Sequence, residues 1–159
     1  MSLSCGPRSH GAITGSSPPL NGYDKGGCSA RVDFRAEGTA EAPITFKSDA
    51  LYRGHAETPG YSPGLTFNAC GMTETSTLEH VHFEGLGNPG DPAYSGAINF
   101  IRTDGQSHAG PTIAHARFAE VGGQVVIRND CASGVTTDYT RAELGNVFPA
   151  DKTAQNDCP

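Results

Sequence analysis

The sequence contains no tryptophan and few large aliphatic side chains. Leucine, isoleucine, valine and phenylalanine together supply only 27 of the 159 residues, whereas glycine and proline supply 32. A share this low indicates disorder when the net charge is high, but here the formal net charge is only −6. A broad core of large side chains is therefore excluded, and we expect either a partly unfolded chain or a fold around a thin core.

Several sequence signatures of common activities are also missing. No run approaches the roughly 18 apolar residues of a membrane helix. Acidic residues outnumber basic ones by 17 to 11, which argues against nucleic acid as a partner. There is no glycine-rich phosphate loop and no Gly-x-Ser-x-Gly sequence. We therefore expect no nucleotide cofactor, no nucleic-acid partner and no insertion into a membrane.

The five cysteines form no Cys-x-x-Cys pair, which excludes a zinc ribbon or a redox motif of that type. In an oxidising compartment, pairing Cys5 with Cys28 and Cys131 with Cys158 would crosslink each end of the chain and leave Cys70 alone. The spacing does not choose among the other pairings. Five reduced and mostly buried thiols are the alternative.

The composition favours a secreted or cell-surface location. Glycine, serine, threonine, asparagine and proline are plentiful, while lysine occurs only at Lys25, Lys47 and Lys152. Residues 1–20 lack the apolar stretch of a signal peptide. A secreted chain would therefore begin after a removed signal or inside a longer parent chain.

Short segments recur in which an apolar residue is followed two positions later by phenylalanine. Such alternation places both apolar side chains on one face of a β-strand. The segments are residues 32–34, 44–46, 65–67, 81–83 and 98–100, with turn-forming glycines and prolines between them. The pattern predicts an all-β fold built from very short strands.

The segments also repeat along the chain. Residues 78–83, Leu-Glu-His-Val-His-Phe, and residues 113–118, Ile-Ala-His-Ala-Arg-Phe, match at an offset of 35, and the segments before them match at an offset of 33. A variable period of about 20–35 residues with short strands and glycine turns is typical of a stacked β-solenoid. Each coil buries the side chains of the next, so few large apolar residues suffice. We predict that the inward side chains of the stacked strands share one dry column, whose phenylalanines are Phe46, Phe67, Phe83, Phe100 and Phe118.

Helical repeats are disfavoured, because no window carries an apolar stripe with a 3.6-residue period over two turns. The one helical candidate is residues 140–144, Thr-Arg-Ala-Glu-Leu, which has the spacing of a capping box and is followed by Gly145. This segment predicts one helical turn at most.

Residues 37–46 read Glu-Gly-Thr-Ala-Glu-Ala-Pro-Ile-Thr-Phe. This stretch resembles the GTAxAPIxF signature of secreted bacterial proteins with right-handed parallel β-helix repeats, the pectate-lyase-like superfold. Residues 76–83 and 111–118 resemble the coils that follow it, so the likeness covers about residues 32–128. The resemblance implies a right-handed parallel β-helix. We expect an irregular cap or linker over 1–31, a β-helix domain over 32–148 and a C-terminal tail over 149–159.

The resemblance does not imply a single activity, because this superfold hosts lyases, hydrolases, esterases, adhesins and inert stalks. Its lyases use an acidic calcium cluster with a basic residue, and its galacturonan hydrolases use paired aspartates with Gly-His-Gly and Arg-x-Lys. This chain has no Asp-Asp, no Gly-His-Gly and no Arg-x-Lys. The preferred hypothesis is a secreted or cell-surface module that is structural or binds polysaccharide, without evident catalysis. The alternative is a polysaccharide-degrading enzyme.

Candidate ligand-binding residues lie on the predicted outer faces of the strands. If Val81 and Phe83 point inward, then His80, His82 and Glu84 point outward. Two imidazoles and a carboxylate at this spacing suit a divalent metal such as Zn²⁺. A solvated face that contacts a ligand is nevertheless the preferred interpretation, and we expect no metal or other cofactor.

The 35-residue register extends this face to the next coil, where it stacks His115 and Arg117 over the two histidines. Arg117 would repel a cation, whereas its guanidinium suits a sugar hydroxyl. Asn99 is expected on the outer face of a neighbouring sheet, where it would also contact a glycan. The expected partners are therefore a polysaccharide or cell-surface glycan, together with other copies of the chain through the unpaired strand edges of the end coils.

Overall fold

The computed structural model describes residues 2–4, 33–48, 64–68, 75–101, 109–130 and 133–156. Within these ranges the regular structure consists of β-strands and short 3₁₀ turns, with no α-helix. The strands are β1 (Ser2–Ser4), β2 (Arg35–Glu37), β3 (Ile44–Lys47), β4 (Leu65–Asn68), β5 (Thr77–Glu79), β6 (Val81–Glu84), β7 (Ile98–Ile101), β8 (Thr112–Ala114), β9 (Arg117–Ala119), β10 (Val125–Asn129) and β11 (Thr153–Gln155). The prediction of an all-β chain with very short strands is confirmed.

The strands form three sheets, with the orders β1-β3-β6-β9, β11-β10-β7-β4 and β2-β5-β8. The pairing of β1 with β3 is antiparallel, and the other strand pairs are parallel. Successive strands belong to different sheets, since β2, β3 and β4 contribute one strand to each sheet, as do β5 to β7 and β8 to β10. Each parallel crossover therefore includes strands that belong to the other two sheets.

The sheet register follows the repeat in the sequence. Leu78 pairs with Ile113 and Phe83 with Phe118, which is the predicted offset of 35 residues. The offset of 33 is found between β4 and β7, where residue 67 pairs with residue 100. The repeated residues therefore occupy equivalent positions in neighbouring layers.

A column of four stacked phenylalanine rings runs beneath the β3-β6-β9 sheet. Phe46, Phe83, Phe118 and Phe148 follow one another with centroid distances of 5.3, 4.9 and 5.2 Å and interplanar angles of 12° or less. Offset stacking of aromatic pairs contributes beyond the area that they bury. The column links successive layers through the interior.

A second column lies beneath the sheet of β4, β7 and β10. Phe67, Phe100 and Tyr139 stack at centroid distances of 5.6 and 5.7 Å. Phe34 contacts both columns, at 6.2 Å from Phe46 and 5.9 Å from Phe67. The predicted phenylalanines all lie in one hydrophobic cluster, which confirms the shared core, although the rings form two stacks rather than one.

Side-chain amides complete the backbone hydrogen bonding at the C-terminal end. The Asn156 amide accepts from the Asn129 N–H at 2.6 Å and donates to the Asn129 carbonyl at 2.7 Å. The Asn146 amide likewise accepts from Ala116 N and donates to the carbonyls of Ile113 and Tyr139. Each amide acts as one peptide unit of an additional strand, because it offers one acceptor and a donor group.

Regular structure is also found near both ends of the described part of the chain. Residues 2–4 form β1, and residues 153–155 form β11, which pairs in parallel with β10. The helical candidate forms a single 3₁₀ turn over Ala142–Leu144 that ends at Gly145, whose φ is 63°. Its expected capping box is absent, because Arg141 occupies the N-cap position and forms no side-chain cap bond. Within the described ranges, no helical turn has the length and apolar character that a membrane-spanning helix requires.

Tyr139 is a buried polar residue at the end of the second column. Its hydroxyl donates to the Pro111 carbonyl at 3.1 Å, and a Cβ at Gly110 would clash with the hydroxyl oxygen. Burial raises the pKa of the phenol well above its ordinary value, and a hydrogen bond with Thr137 opposes that shift in part. The folded protein therefore keeps this phenol protonated.

We expect Phe83→Ala to lower the free energy of unfolding by about 3–5 kcal/mol, because it removes a ring stacked on both faces. Phe148→Ala is the matched control, since Phe148 is only partly buried and stacks on Phe118. Urea unfolding of both variants measures the two losses. Equal losses would contradict the assignment of Phe83 to the middle of the column.

We expect Tyr139→Phe to remove a pH dependence of stability in the alkaline range. The unfolded phenol loses its proton above about pH 10 while the folded one keeps it, so stability is complete below that pH and falls above it, by at most about 1.4 kcal/mol per pH unit. At pH 8 the variant should be less stable by about 1–3 kcal/mol, because the Pro111 carbonyl loses its donor.

Urea unfolding at pH 8 and pH 11 tests this expectation. The stability difference between the wild type and Tyr139→Phe should shrink at pH 11, because only the wild type has the shifted phenol. A difference that stays constant would show that the phenol titrates normally in the folded state.

Candidate functional site

Strand β6 alternates between the core and the surface as the sequence predicts. Val81 and Phe83 are fully buried, whereas His82 and Glu84 are half-buried on the outer face. A continuous strand turns alternate side chains to opposite faces. His82 and Glu84 therefore belong to the polar outer surface of the β3-β6-β9 sheet.

The register adds neighbours from the adjoining strands. Thr45, His82 and Arg117 pair in sequence across β3, β6 and β9. Beside this row, the Lys47 ammonium lies 3.1 Å from the Glu84 carboxylate. Because both members of that ion pair are about one-third exposed, it contributes little to stability. We call the five residues of these two rows the outer polar face.

His80 does not share this face. It lies between β5 and β6 with a φ of 48°, and His115 occupies the equivalent corner between β8 and β9 with a φ of 52°. A left-handed residue ends the alternation of a strand and turns the chain into the next sheet. His80 therefore lies at a corner before β6 and not on the strand that carries His82 and Glu84.

The corner brings together a different group. The rings of His80 and His115 stack at a centroid distance of 4.7 Å and an interplanar angle of 11°. Glu79, the last residue of β5, adds a carboxylate, and one ligand atom from each of the three side chains lies within 4.8 Å of the others. Glu79 and His80 are half-buried, while His115 is exposed. We call these three residues the corner cluster.

Sequence reasoning missed Glu79. In the sequence, Glu79 is one of several polar residues in the predicted strands. Alternation of apolar and polar residues gives no sign of the corner at His80. A signal was present in the last layer, where the bridge between Arg117 and Val147 makes Gly145 the equivalent of His115. Glycine at that position indicates a left-handed corner.

Asn99 has a structural role rather than the expected ligand-binding one. It is 0% exposed. Its side-chain oxygen accepts from the Gly96 N–H and its amide nitrogen donates to the Gly96 carbonyl, both at 2.9 Å. The two bonds hold the connection before β7 against the outer side of that strand. The prediction that Asn99 contacts a glycan is therefore wrong.

Some of the predicted residues lie outside the described part of the chain. These are the disulfide candidates Cys5, Cys28, Cys131 and Cys158, and also Cys70. The disulfide pairing therefore remains a prediction.

A shallow cleft of about 370 Å³ is found at the C-terminal end of the described residues. It is lined by Glu120, Val121, Gly122, Pro149, Asp151 and Lys152. The Lys152 ammonium lies 3.9 Å from the Asp151 carboxylate. The cleft therefore contains two carboxylates, one of them next to a cation.

Comparison with models of known protein families, with curated proteins and with solved structures found no match to this chain. The resemblance noted in the sequence therefore remains a prediction. The outer polar face, the corner cluster and the cleft are the features of the described residues that bear on function.

We expect His82→Ala to change the free energy of unfolding by no more than about 0.5 kcal/mol, because the side chain is half-buried and belongs to the polar surface. Thermal and urea unfolding measure the change, and Phe83→Ala on the same strand is the control for a buried position. A loss above about 2 kcal/mol for His82→Ala would show that this side chain packs in the core.

Proposed function

We propose that the chain is a right-handed parallel β-helix module of a secreted or cell-surface protein, and that it binds polysaccharide or is structural, without catalysis. The cyclic order of the strands supports this architecture, since three successive triplets each add one parallel strand to each sheet. Parallel crossovers are right-handed in nearly all proteins. The secreted or cell-surface location is supported only by the composition and the resemblance.

Of the two non-catalytic roles, the outer polar face favours polysaccharide binding. His82 and Arg117 are paired neighbours on adjacent strands, and Arg117 is exposed. Imidazole and guanidinium groups donate hydrogen bonds to sugar hydroxyls, and the Thr45 hydroxyl both donates and accepts. This row of donors on the outer side of a parallel sheet is the observation on which the proposed binding rests.

The same face predicts the character of the binding. Its residues are Thr45, Lys47, His82, Glu84 and Arg117, which include no tyrosine, phenylalanine or tryptophan. Polar contacts without an aromatic platform compete directly with water, so we expect weak affinity and dependence on several sugar units bound along the row.

The alternative of a polysaccharide-degrading enzyme is favoured by one observation, the carboxylates of Glu120 and Asp151 in the C-terminal cleft. Glycoside hydrolysis uses two carboxyl groups about 5–10 Å apart, one of them protonated. The Lys152 ammonium lies 3.9 Å from the Asp151 carboxylate. Such an enzyme would need both carboxyl groups, so Glu120→Gln would abolish its turnover.

Affinity electrophoresis and pull-down with a panel of soluble and insoluble polysaccharides test the proposal. We expect at least one polysaccharide to retain the wild-type protein, and the double variant His82→Ala/Arg117→Ala to bind it about tenfold or more weakly, as the loss of about 1.4 kcal/mol requires. The matched control is Arg35→Ala/Thr112→Ala, whose two residues are exposed on the outer side of the β2-β5-β8 sheet.

The outcomes separate the three roles. Equal losses in both double variants, or no retention by any polysaccharide, would overturn binding at the outer polar face and leave the structural role. Release of reducing ends or of unsaturated sugars, lost in Glu120→Gln, would overturn the non-catalytic proposal in favour of the enzyme.

A further inference from the structure

The backbone of the corner cluster carries strain that glycine would avoid. His80 and His115 have φ values of 48° and 52°, a conformation that residues with a Cβ rarely adopt. Gly145 occupies the equivalent corner of the next layer with a φ of 63°. Glycine therefore suits this corner, yet two successive layers have histidine there. A glycine at either position would lack the imidazole, so the imidazole side chain is what sets these two corners apart.

The donor atoms of the cluster lie near the separation that a single metal ion requires. Zinc bonds nitrogen and oxygen at about 2.0–2.2 Å in a tetrahedron, so two ligand atoms on one ion lie about 3.4 Å apart. The ligand atoms of Glu79, His80 and His115 all lie within 4.8 Å of one another. The two rings are parallel, so metal binding requires them to rotate until a nitrogen of each faces the ion, and the exposed His115 side chain is the one that rotates.

The surroundings of the cluster favour a cation. Glu37 pairs directly with Glu79 across β2 and β5. Each of these side chains points outward, because the middle residue of its own strand is buried. Like charges at directly paired positions repel one another. The next residue of the row is the neutral Ala114. Arg117 pairs with His82 on the neighbouring sheet, as the 35-residue register predicts.

We infer that Glu79, His80 and His115 form a binding site for a divalent transition-metal ion of the Zn²⁺ type. Two imidazoles and one carboxylate are ligands that zinc binds, and three protein ligands leave a fourth position for water or another ligand. Ca²⁺ and Mg²⁺ prefer sets made of oxygen only, so this site discriminates against them. The inference does not depend on polysaccharide binding, which uses a different face.

Zinc titration of the full chain by calorimetry, together with thermal unfolding with and without zinc, tests the site. The variants are His80→Gly and His115→Gly, which remove a ligand and at the same time relieve the strained φ, so that both should fold. We expect each to bind zinc at least about tenfold more weakly, since even the loss of an outer partner of a ligand costs that much. The rise in Tm that zinc causes in the wild type should be lost in both variants.

His82→Ala is the matched control, because it removes a nearby imidazole that lies outside the cluster. It should bind zinc as the wild type does. Because the chain also has five cysteines, imidazole NMR signals are recorded with paramagnetic Ni²⁺, which should broaden those of His80 and His115 before that of His82. Zinc binding that persists in both glycine variants, or uniform broadening of all histidines, would overturn the inference, as would an equal response to Ca²⁺.

Discussion

In-register parallel pairing is the constraint on which the rest of the structure depends. Because residue 83 pairs with residues 46 and 118, each inward side chain lies on a similar one in the next layer, and phenylalanine stacks on phenylalanine. Such stacks bury a ring on both faces while only a few large residues are used. This explains how a chain in which leucine, isoleucine, valine and phenylalanine are scarce can still form a continuous core.

The same register acts on the outside of the molecule, where its effects are less favourable. It stacks His80 on His115, and it places Glu79 beside Glu37. Repetition that strengthens an apolar core therefore concentrates like groups on the surface, where they repel one another or share a ligand. The two histidine rings connect successive layers at a corner, so an ion bound there would hold the layers together and couple its own binding to the stability of the fold.

The repeat in the sequence was sufficient to predict the all-β class, the 35-residue register and the shared phenylalanine core. Each of these features depends on residues that recur at a fixed spacing. The corner at His80 was not predictable by alternation, which assumes a continuous strand, whereas the φ of 48° is imposed by the turn between two sheets. Asn99 was assigned to the surface for a similar reason. Its burial depends on the connection before β7, which bonds to it through Gly96.

Where a described strand of a parallel sheet ends, backbone groups of the neighbouring strand need partners from outside the ladder. Here the Asn146 and Asn156 amides each supply a donor and an acceptor to the strands of the preceding layer. The Gln155 amide does the same for Tyr139 N and the Thr137 carbonyl. Since an amide side chain reproduces one peptide group without extending the strand, these residues complete the hydrogen bonding locally and reduce the tendency of the edge to pair with another chain.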